Sequence, residues 1–282
     1  MKMKRIVLLF VFSTIAMFAL TPLGMYGHQY KFSAVTILYF LFTWYFLCKA
    51  ANLQEKVWVI ILILLPPAAL YLPAHLINFE NTQKSIPSSA AHFIGISAGA
   101  LVSMSGRPLK IGLVTLVLLL CVWTTSKGYD LWLHKLNFGT FTGSVSEQSP
   151  HFSLSDSEGN VVTNSNFNEK LVVMDFWTTS CGICFKKFPV LQEKVQAYKD
   201  HPQIEFYAVN IPIPRDTLGQ GQRTIENLGY SFPNFFASGV EVAKAFGVQY
   251  YPTVLILKDG KEIVYRGNIE GIEDEIASYL NQ

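Results

Sequence analysis

The sequence predicts a two-part fold: an α-helical transmembrane bundle, followed by an α/β domain with a mixed central sheet and flanking helices. Three observations predict it. Half of the 282 residues are hydrophobic and 15% are charged, too apolar for an ordinary soluble protein of this length. Charge is unevenly placed: residues 1–130 carry 10 Lys/Arg against 3 Asp/Glu, and the remainder carry 12 against 17. Long apolar runs fill the first part, whereas short apolar runs between turn residues fill the second. The expected organisation is a membrane domain over 1–128, a juxtamembrane linker over 129–147 and a folded domain over 148–282. No basic stripe lies in the acidic half, which argues against a nucleic-acid partner.

In the membrane part, the first apolar run is Ile6 to Leu20, behind Lys2, Lys4 and Arg5. That layout fits a signal peptide or a first membrane helix. No small-residue cleavage site stands out and more apolar runs follow, which favours an uncleaved helix. Further runs are Ser33 to Cys48, Val57 to Leu72 with Pro66 and Pro67 inside it, and Ile111 to Thr125. Each approaches the ~20 residues needed to cross a bilayer. A weaker run, Ala90 to Met104, decides the sidedness. Ala91, Gly95, Gly99 and Ser103 recur every four residues and form one helical face of small side chains, a face suited to close helix packing.

Five spans with a cytoplasmic start put Lys2, Lys4, Arg5, Lys49, Lys56, Arg107 and Lys110 inside, and only Lys31 and Lys84 outside. The folded domain then faces the extracytoplasmic side, the periplasm in a bacterial inner membrane. Four spans would leave it in the cytoplasm. His92 and His75 are the polar candidates within the runs, and Cys48 and Cys121 lie in apolar surroundings. A membrane dithiol relay through those two cysteines is conceivable, but they fall at different depths.

Asp130 to Leu136 is expected to prolong the last helix along the interface, with Tyr129 and Trp132 as aromatic anchors. Gly139 to Ser149 reads as a flexible linker. Beyond it, Phe152–Leu154 and Val161–Val162 flank a turn at Asp156–Asn160. Leu171 to Trp177 is a continuous apolar run, broken only by Asp175, as suits a buried central strand. An amphipathic helix follows to about Lys199, then a second buried strand, Ile204 to Ile211. Arg215 to Leu228 turns from polar to helical, and Val240 to Phe246 is a short helix. Thr253–Leu257 and Glu262–Arg266 are joined by Asp259-Gly260, a strong hairpin signal, and Ile272 to Leu280 closes the domain as a helix.

The chemistry centres on Cys181 and Cys184, the only close cysteine pair. The pair alone admits a zinc half-site, an inert staple or a redox centre. Zinc needs two more ligands, and no second pair is present; His151 and His201 are not spaced to complete a site. A short-loop staple constrains the unfolded chain little. At a strand-to-helix junction, the unpaired N–H groups and positive potential of the helix start stabilise a thiolate, and Lys186 and Lys187 add positive charge. Cys181 is then the attacking thiol and Cys184 the resolving one. Asp175 precedes Cys181 by six residues; buried in its strand, it would exchange protons with a thiol, whereas at a strand end it would merely face solvent.

These residues resemble the thioredoxin superfamily. Asp175-Phe176-Trp177 ahead of Cys181-x-x-Cys184, Pro189 inside the helix, and Tyr251-Pro252-Thr253 before a strand carry the resemblance, which covers roughly 148–282. It implies a cis bond before Pro252, backbone groups of Tyr251 offered to substrate, and Trp177 beside the substrate-binding rim. The early turn and the extra segment between Ile211 and Gly239 are similar to the membrane-tethered TlpA/ResA-like branch, which implies reduction of protein disulfides in cytochrome c maturation or envelope proteins. Ser180 and Ile183 depart from the commoner Trp and Pro, and Ala208 stands where thioredoxin has a lysine near the buried aspartate. The resemblance does not extend to the membrane half.

The resulting expectation is a membrane-anchored thiol–disulfide oxidoreductase, with protein disulfides as substrates, a membrane or extracytoplasmic electron donor, the lipid bilayer as surroundings, and neither metal nor cofactor. A dithiol metallochaperone for a copper site, or a sensory protein driven by its membrane half, are the alternatives.

Overall fold

The computed structural model describes residues 3–281, which divide into two compact units, Met1–Leu136 and Asn137–Gln282. Lys2, counted above in the basic N-terminal flank, lies outside the described residues.

The first unit is helical. Its main helices are α1 (Met3–Ala19), α2 (His28–Cys48), α3 (Leu53–Ile77), α4 (Ile86–Met104) and α5 (Arg107–Trp123); a π-helical turn joins the last to α6 (Tyr129–Phe138). Among the described residues, five segments are long and apolar enough to cross a membrane: Arg5–Tyr26, His28–Cys48, Leu53–Ile77, Phe79–Met104 and Arg107–Phe138. Their outward faces carry Leu8, Ile15, Phe18, Leu116, Leu119 and Val122, each more than half exposed. A water-facing helix would place polar residues there. Leu9, Val35, Val59, Ile63, Ala91 and Ile96 pack inside.

The small-residue face of α4 lies against α2. A β-carbon on Gly95 would meet the Thr36 carbonyl oxygen at 2.6 Å, and one on Gly99 the Phe40 carbonyl oxygen at 2.6 Å. Only glycine permits this approach. Two buried hydroxyls are satisfied across helices: Ser13 Oγ donates to the Ile63 carbonyl at 2.7 Å, and the Tyr39 hydroxyl to the Ser13 carbonyl at 2.8 Å. At one end of the bundle Arg5 reaches Glu55 and the Phe46 carbonyl. At the other, Tyr129 and Trp132 donate to the carbonyls of Lys84 and Gln83, so the helices alternate in direction.

Cys48 and Cys121 are free thiols. Ser33 Oγ donates to the Cys121 carbonyl, which sets Cys121 level with residue 33 of α2, whereas Cys48 ends that helix. The fifteen intervening residues amount to roughly 22 Å of axial rise, so these sulfurs do not form a relay by themselves.

The second unit holds one eight-stranded sheet with order β1-β8-β7-β4-β5-β6-β2-β3. Its strands are β1 (Ser144–Gln148), β2 (Ser153–Ser155), β3 (Val161–Thr163), β4 (Leu171–Trp177), β5 (Ile204–Asn210), β6 (Asn234–Ala237), β7 (Thr253–Lys258) and β8 (Glu262–Gly267). Strands β4, β5 and β6 are parallel and the other pairings antiparallel, a mixed sheet. Helices α7 (Gly182–Tyr198), α8 (Gln220–Leu228), α9 (Val240–Ala245) and α10 (Glu273–Leu280) complete the domain.

Every residue of β4 is buried, because both faces of the strand are covered. Leu171, Val173 and Trp177 pack with Phe188 and Leu191 of α7; Val172, Met174 and Phe176 pack on the opposite face with Phe246 and Leu255. The β7–β8 hairpin turns at Asp259 and Gly260, both with positive φ (55° and 64°), as a primed two-residue turn requires. The β2–β3 turn is held by Asp156, whose Oδ2 accepts from the Asn160 side-chain amide at 2.9 Å and whose Oδ1 accepts from the N–H groups of Glu158 and Asn160 at 2.9 Å each; the Asn160 side-chain bond first, then the backbone bonds, hold its carboxyl below the usual range.

Two features depart from expectation. Ser144–Gln148, expected inside a flexible linker, pairs with β8 as an edge strand. Its side chains are mostly exposed, so no hydrophobic pattern marks it; backbone pairing to a pre-existing edge creates it. Strand β6 was not expected either. Four residues between Pro233 and Ser238 are too short to display a period, and its position is set by parallel pairing to β5.

Candidate redox site

Strand β4 ends at Trp177, and the next four residues cross to the start of α7. Cys181 is the N-cap: its sulfur accepts from the Cys184 N–H at 3.2 Å, and its own N–H donates to the Thr178 carbonyl at 3.1 Å. A cysteine in this role places sulfur where the free N–H groups of the first turn converge. Cys181 and Cys184 are joined by a disulfide with an S–S distance of 2.04 Å. Their accessibilities differ: Cys181 is partly exposed, whereas Cys184 is 1% exposed under the helix. Gly182 and Ile183 form the exposed rim between them.

Alternation along β4 puts Asp175 on the same sheet face as Val173 and Trp177, the face that α7 and Cys184 cover. Asp175 is buried and its Oδ1 has no hydrogen-bond partner among the described residues. Its register neighbours are Ala208 on β5 and Val254 on β7. Neither supplies a charge or a donor, so burial pushes the Asp175 carboxyl up to about 7, with only a smaller opposing pull from Lys187. The Lys187 ammonium is itself engaged by Glu270, and Lys186 is exposed.

The Tyr251–Pro252 peptide bond is cis, and both residues are partly exposed. Tyr251 packs against the same hydrophobic cluster as Cys181 and Cys184, and burial raises its phenol above the ordinary value. Trp177 corrects an expectation. It is fully buried, edge-on to Phe188 at 5.4 Å and to Phe185 at 6.1 Å, so it offers no surface to a substrate and instead supports the redox turn from beneath. Burial on both faces of β4 is the reason.

Sequence reasoning missed one tie. Thr179, two residues before Cys181, donates from Oγ1 to Asp216 Oδ1 at 2.5 Å, and Asp216 Oδ2 accepts from the Ile213 N–H at 3.0 Å. The segment after β5 therefore braces the redox loop. Its only sequence signal is the Pro-rich polar stretch following Ile211.

A cysteine pair capping a helix beside a central parallel strand, over a buried acid and near a cis-proline, gives this unit a thioredoxin-like architecture with a dithiol–disulfide centre. Residues 145–266 match the AhpC/TSA family. The chain is 32% identical over 118 residues to the thiol-disulfide oxidoreductase ResA of Halalkalibacterium halodurans, covering 42% of this chain and 65% of that relative, slightly under two thirds of its length. It is 28% identical over 173 residues to ResA of Bacillus thuringiensis subsp. konkukian, covering 60% of this chain and 93% of the relative. The thioredoxin domain of a thiol-disulfide oxidoreductase from Bacteroides vulgatus superposes with a TM-score of 0.41 at 22% identity, over 49% of this chain and 96% of that one.

Proposed function

We propose that this chain is a membrane-anchored, extracytoplasmic enzyme that reduces protein disulfides through Cys181 and Cys184. The observation that carries the reading is the asymmetry of the pair: a partly exposed Cys181 at a helix N-cap, a buried Cys184 behind it, and an unpartnered Asp175 on the same sheet face. In the reduced enzyme, the Cys181 thiolate attacks one sulfur of a substrate disulfide and expels the other as a thiolate. The Cys181–substrate mixed disulfide is then opened by the Cys184 sulfur. Cys184 gives up its proton to ionised Asp175, attacks Cys181 Sγ and releases the second substrate thiolate. Two electrons pass to the substrate, and the enzyme is left with its internal disulfide. The free backbone beside Pro252, at Tyr251, is the surface along which a substrate strand would be held.

Two features support the extracytoplasmic placement. Five segments have spanning length, an odd number, and the basic residues concentrate at the end of the bundle that holds Arg5 and Glu55. Envelope proteins, including apoproteins with exposed cysteine pairs such as those of cytochrome c maturation, are the proposed substrates, and re-reduction requires an electron donor reaching the same compartment.

The test uses full-length protein in detergent, with dithiothreitol as reductant and insulin as substrate. Wild type accelerates precipitation of the insulin B chain, and Cys181→Ser loses that acceleration. Retention of wild-type rate by Cys181→Ser would end the proposal.

A further inference from the structure

A second concave site lies beside the redox pair. Asn210 closes β5, and its parallel partner in β4 is Trp177, the last residue before the redox loop. On its other side Asn210 pairs with Phe236 of β6. At this shared C-terminal edge of the parallel strands a cleft of about 410 Å³ opens, lined by Asn210, Pro212, Asp216, Leu218, Gly221 and Phe236 among others.

One of its polar side chains is an unanswered donor. Asn210 is 4% exposed, and its Nδ2 has no hydrogen-bond partner among the described residues. A buried amide left unpaired is destabilising unless a ligand supplies the acceptor. The first turn of α8 adds more. The Gln220 N–H is taken by the Thr217 carbonyl and the Arg223 N–H by the Gly219 carbonyl, whereas the N–H groups of Gly221 and Gln222 have no acceptor within the helix. Gly221 is what brings these donors together: a β-carbon there would lie 2.2 Å from Asn210 Oδ1, so no other residue lets the helix start meet this amide.

One acid lines the cleft, but both of its oxygens are engaged: Asp216 Oδ1 by the Thr179 hydroxyl and Oδ2 by the Ile213 N–H. Arg223, held at the Thr217 hydroxyl and the Leu218 carbonyl, adds a positive charge to the same turn. The charge of Asp216 is set against that of Arg223 and the positive end of α8, and the buried amide and the free N–H groups are the donors left for a ligand, a combination that favours a carboxylate.

We infer that this cleft is a carboxylate-binding subsite next to the dithiol, which favours disulfide substrates carrying an acidic group beside the sulfur. The inference rests on the oxidoreductase reading and narrows its substrate class. The Thr179–Asp216 bond ties the wall of the subsite to the loop that carries Cys181, so a seated carboxylate and the attacked disulfide are held by one braced unit.

The test uses full-length reduced protein in detergent under single-turnover conditions, so that no electron donor is needed. Two small disulfides serve as probes: 3,3′-dithiodipropionate, which carries carboxylates, and hydroxyethyl disulfide, which is neutral. Each rate is divided by the rate of the same probe with dithiothreitol in solution. The normalised rate is expected to favour dithiodipropionate. Asn210→Asp, which places a negative charge at the donor, should lower that rate roughly tenfold or more, the loss expected for one charge-assisted hydrogen bond, and leave hydroxyethyl disulfide unchanged. Asn210→Ala, which removes the amide without adding charge, should show the same selectivity if the aspartate variant fails to fold. Added acetate should compete with dithiodipropionate alone. If acetate slowed both probes equally, the cleft would be a site for a free small carboxylate and not for the substrate's own. Equal normalised rates in wild type, or an equal effect of Asn210→Asp on both probes, would overturn the inference while leaving the redox reading intact. No turnover of either probe would remove both.

Discussion

At Asp175 a single carboxyl sits inside an all-buried strand, with its Oδ1 unpaired and its pKa pushed up to about 7 by burial. The stability consequence has a definite sign. The unfolded carboxyl has an ordinary value near 3.8, so between about 4 and 7 the folded chain holds a proton that the unfolded chain has released. Folding stability is therefore highest below pH 4 with respect to this group, falls as pH rises, and is fully reduced above about 7. Asp175→Asn removes that dependence. Its thermal stability relative to wild type is expected to be greater at pH 8 than at pH 5, by an amount on the order of 1–4 kcal/mol. The chemical consequence runs the other way: the carboxylate that accepts the Cys184 proton exists only above about pH 7. The resolving step should rise through that pH in wild type, and should be slow and pH-flat near 7 in Asp175→Asn. Stopped-flow reduction of a mixed disulfide across pH 5 to 9 checks this. Cys184→Ser gives the complementary result: a Cys181–substrate mixed disulfide accumulates and is visible by non-reducing electrophoresis.

The residues of this site were largely legible from the chain. Cys181, Cys184, Asp175 and the cis bond before Pro252 stand where spacing and resemblance put them. Trp177 did not, because its motif position says nothing of which way the ring points. The alternation of β4 turns it into the α7 face, where Phe185 and Phe188 enclose it. The Thr179–Asp216 bond joins residues thirty-seven apart, and no local pattern announces it.

Among the elements, the pairing of α2 with α4 shows what a weak signal can mean. Ala90–Met104 is only modestly hydrophobic, yet its four-residue recurrence of small side chains marks a contact face. The structure uses that face through the carbonyls of Thr36 and Phe40. Gly99→Leu would force the helices apart and is expected to cost about 1–3 kcal/mol, read as a lower unfolding midpoint of the detergent-solubilised protein. Leu101→Ala, on the exposed side of the same helix, should leave that midpoint nearly unchanged. Strands behaved differently. β4 announces itself by an apolar run broken only by Asp175, and β5 by a largely apolar one, whereas β1 and β6 exist because neighbours offer unpaired backbone.

For the whole molecule, the helix count governs which compartment the dithiol meets. Under the proposed reading, five spanning segments with the basic residues inside would carry the second unit to the extracytoplasmic side. Single cysteines introduced at Ser157 and at Gln54, in a chain whose native cysteines are replaced by serine, should differ in labelling by a membrane-impermeant maleimide. In intact cells stripped of outer barriers, position 157 should label and position 54 should not. Labelling of position 54 alone would place the redox domain in the cytoplasm and refute the proposed localisation.

The chain by itself determined the division into an apolar helical part and a mixed-sheet part, the cysteine pair and the proline motif, and it marked Asp175 as an acid inside an apolar run. These depend on composition, period and short motifs, all of which act within a few residues. Only the tertiary structure decided that Cys184 is buried while Cys181 is not, that Trp177 faces inward, that residues 144–148 join the sheet, and that Asn210 meets the start of α8 across Gly221. Each of those outcomes is a contact or an enclosure between segments remote in sequence, and burial is a property of what surrounds a residue rather than of the residue itself.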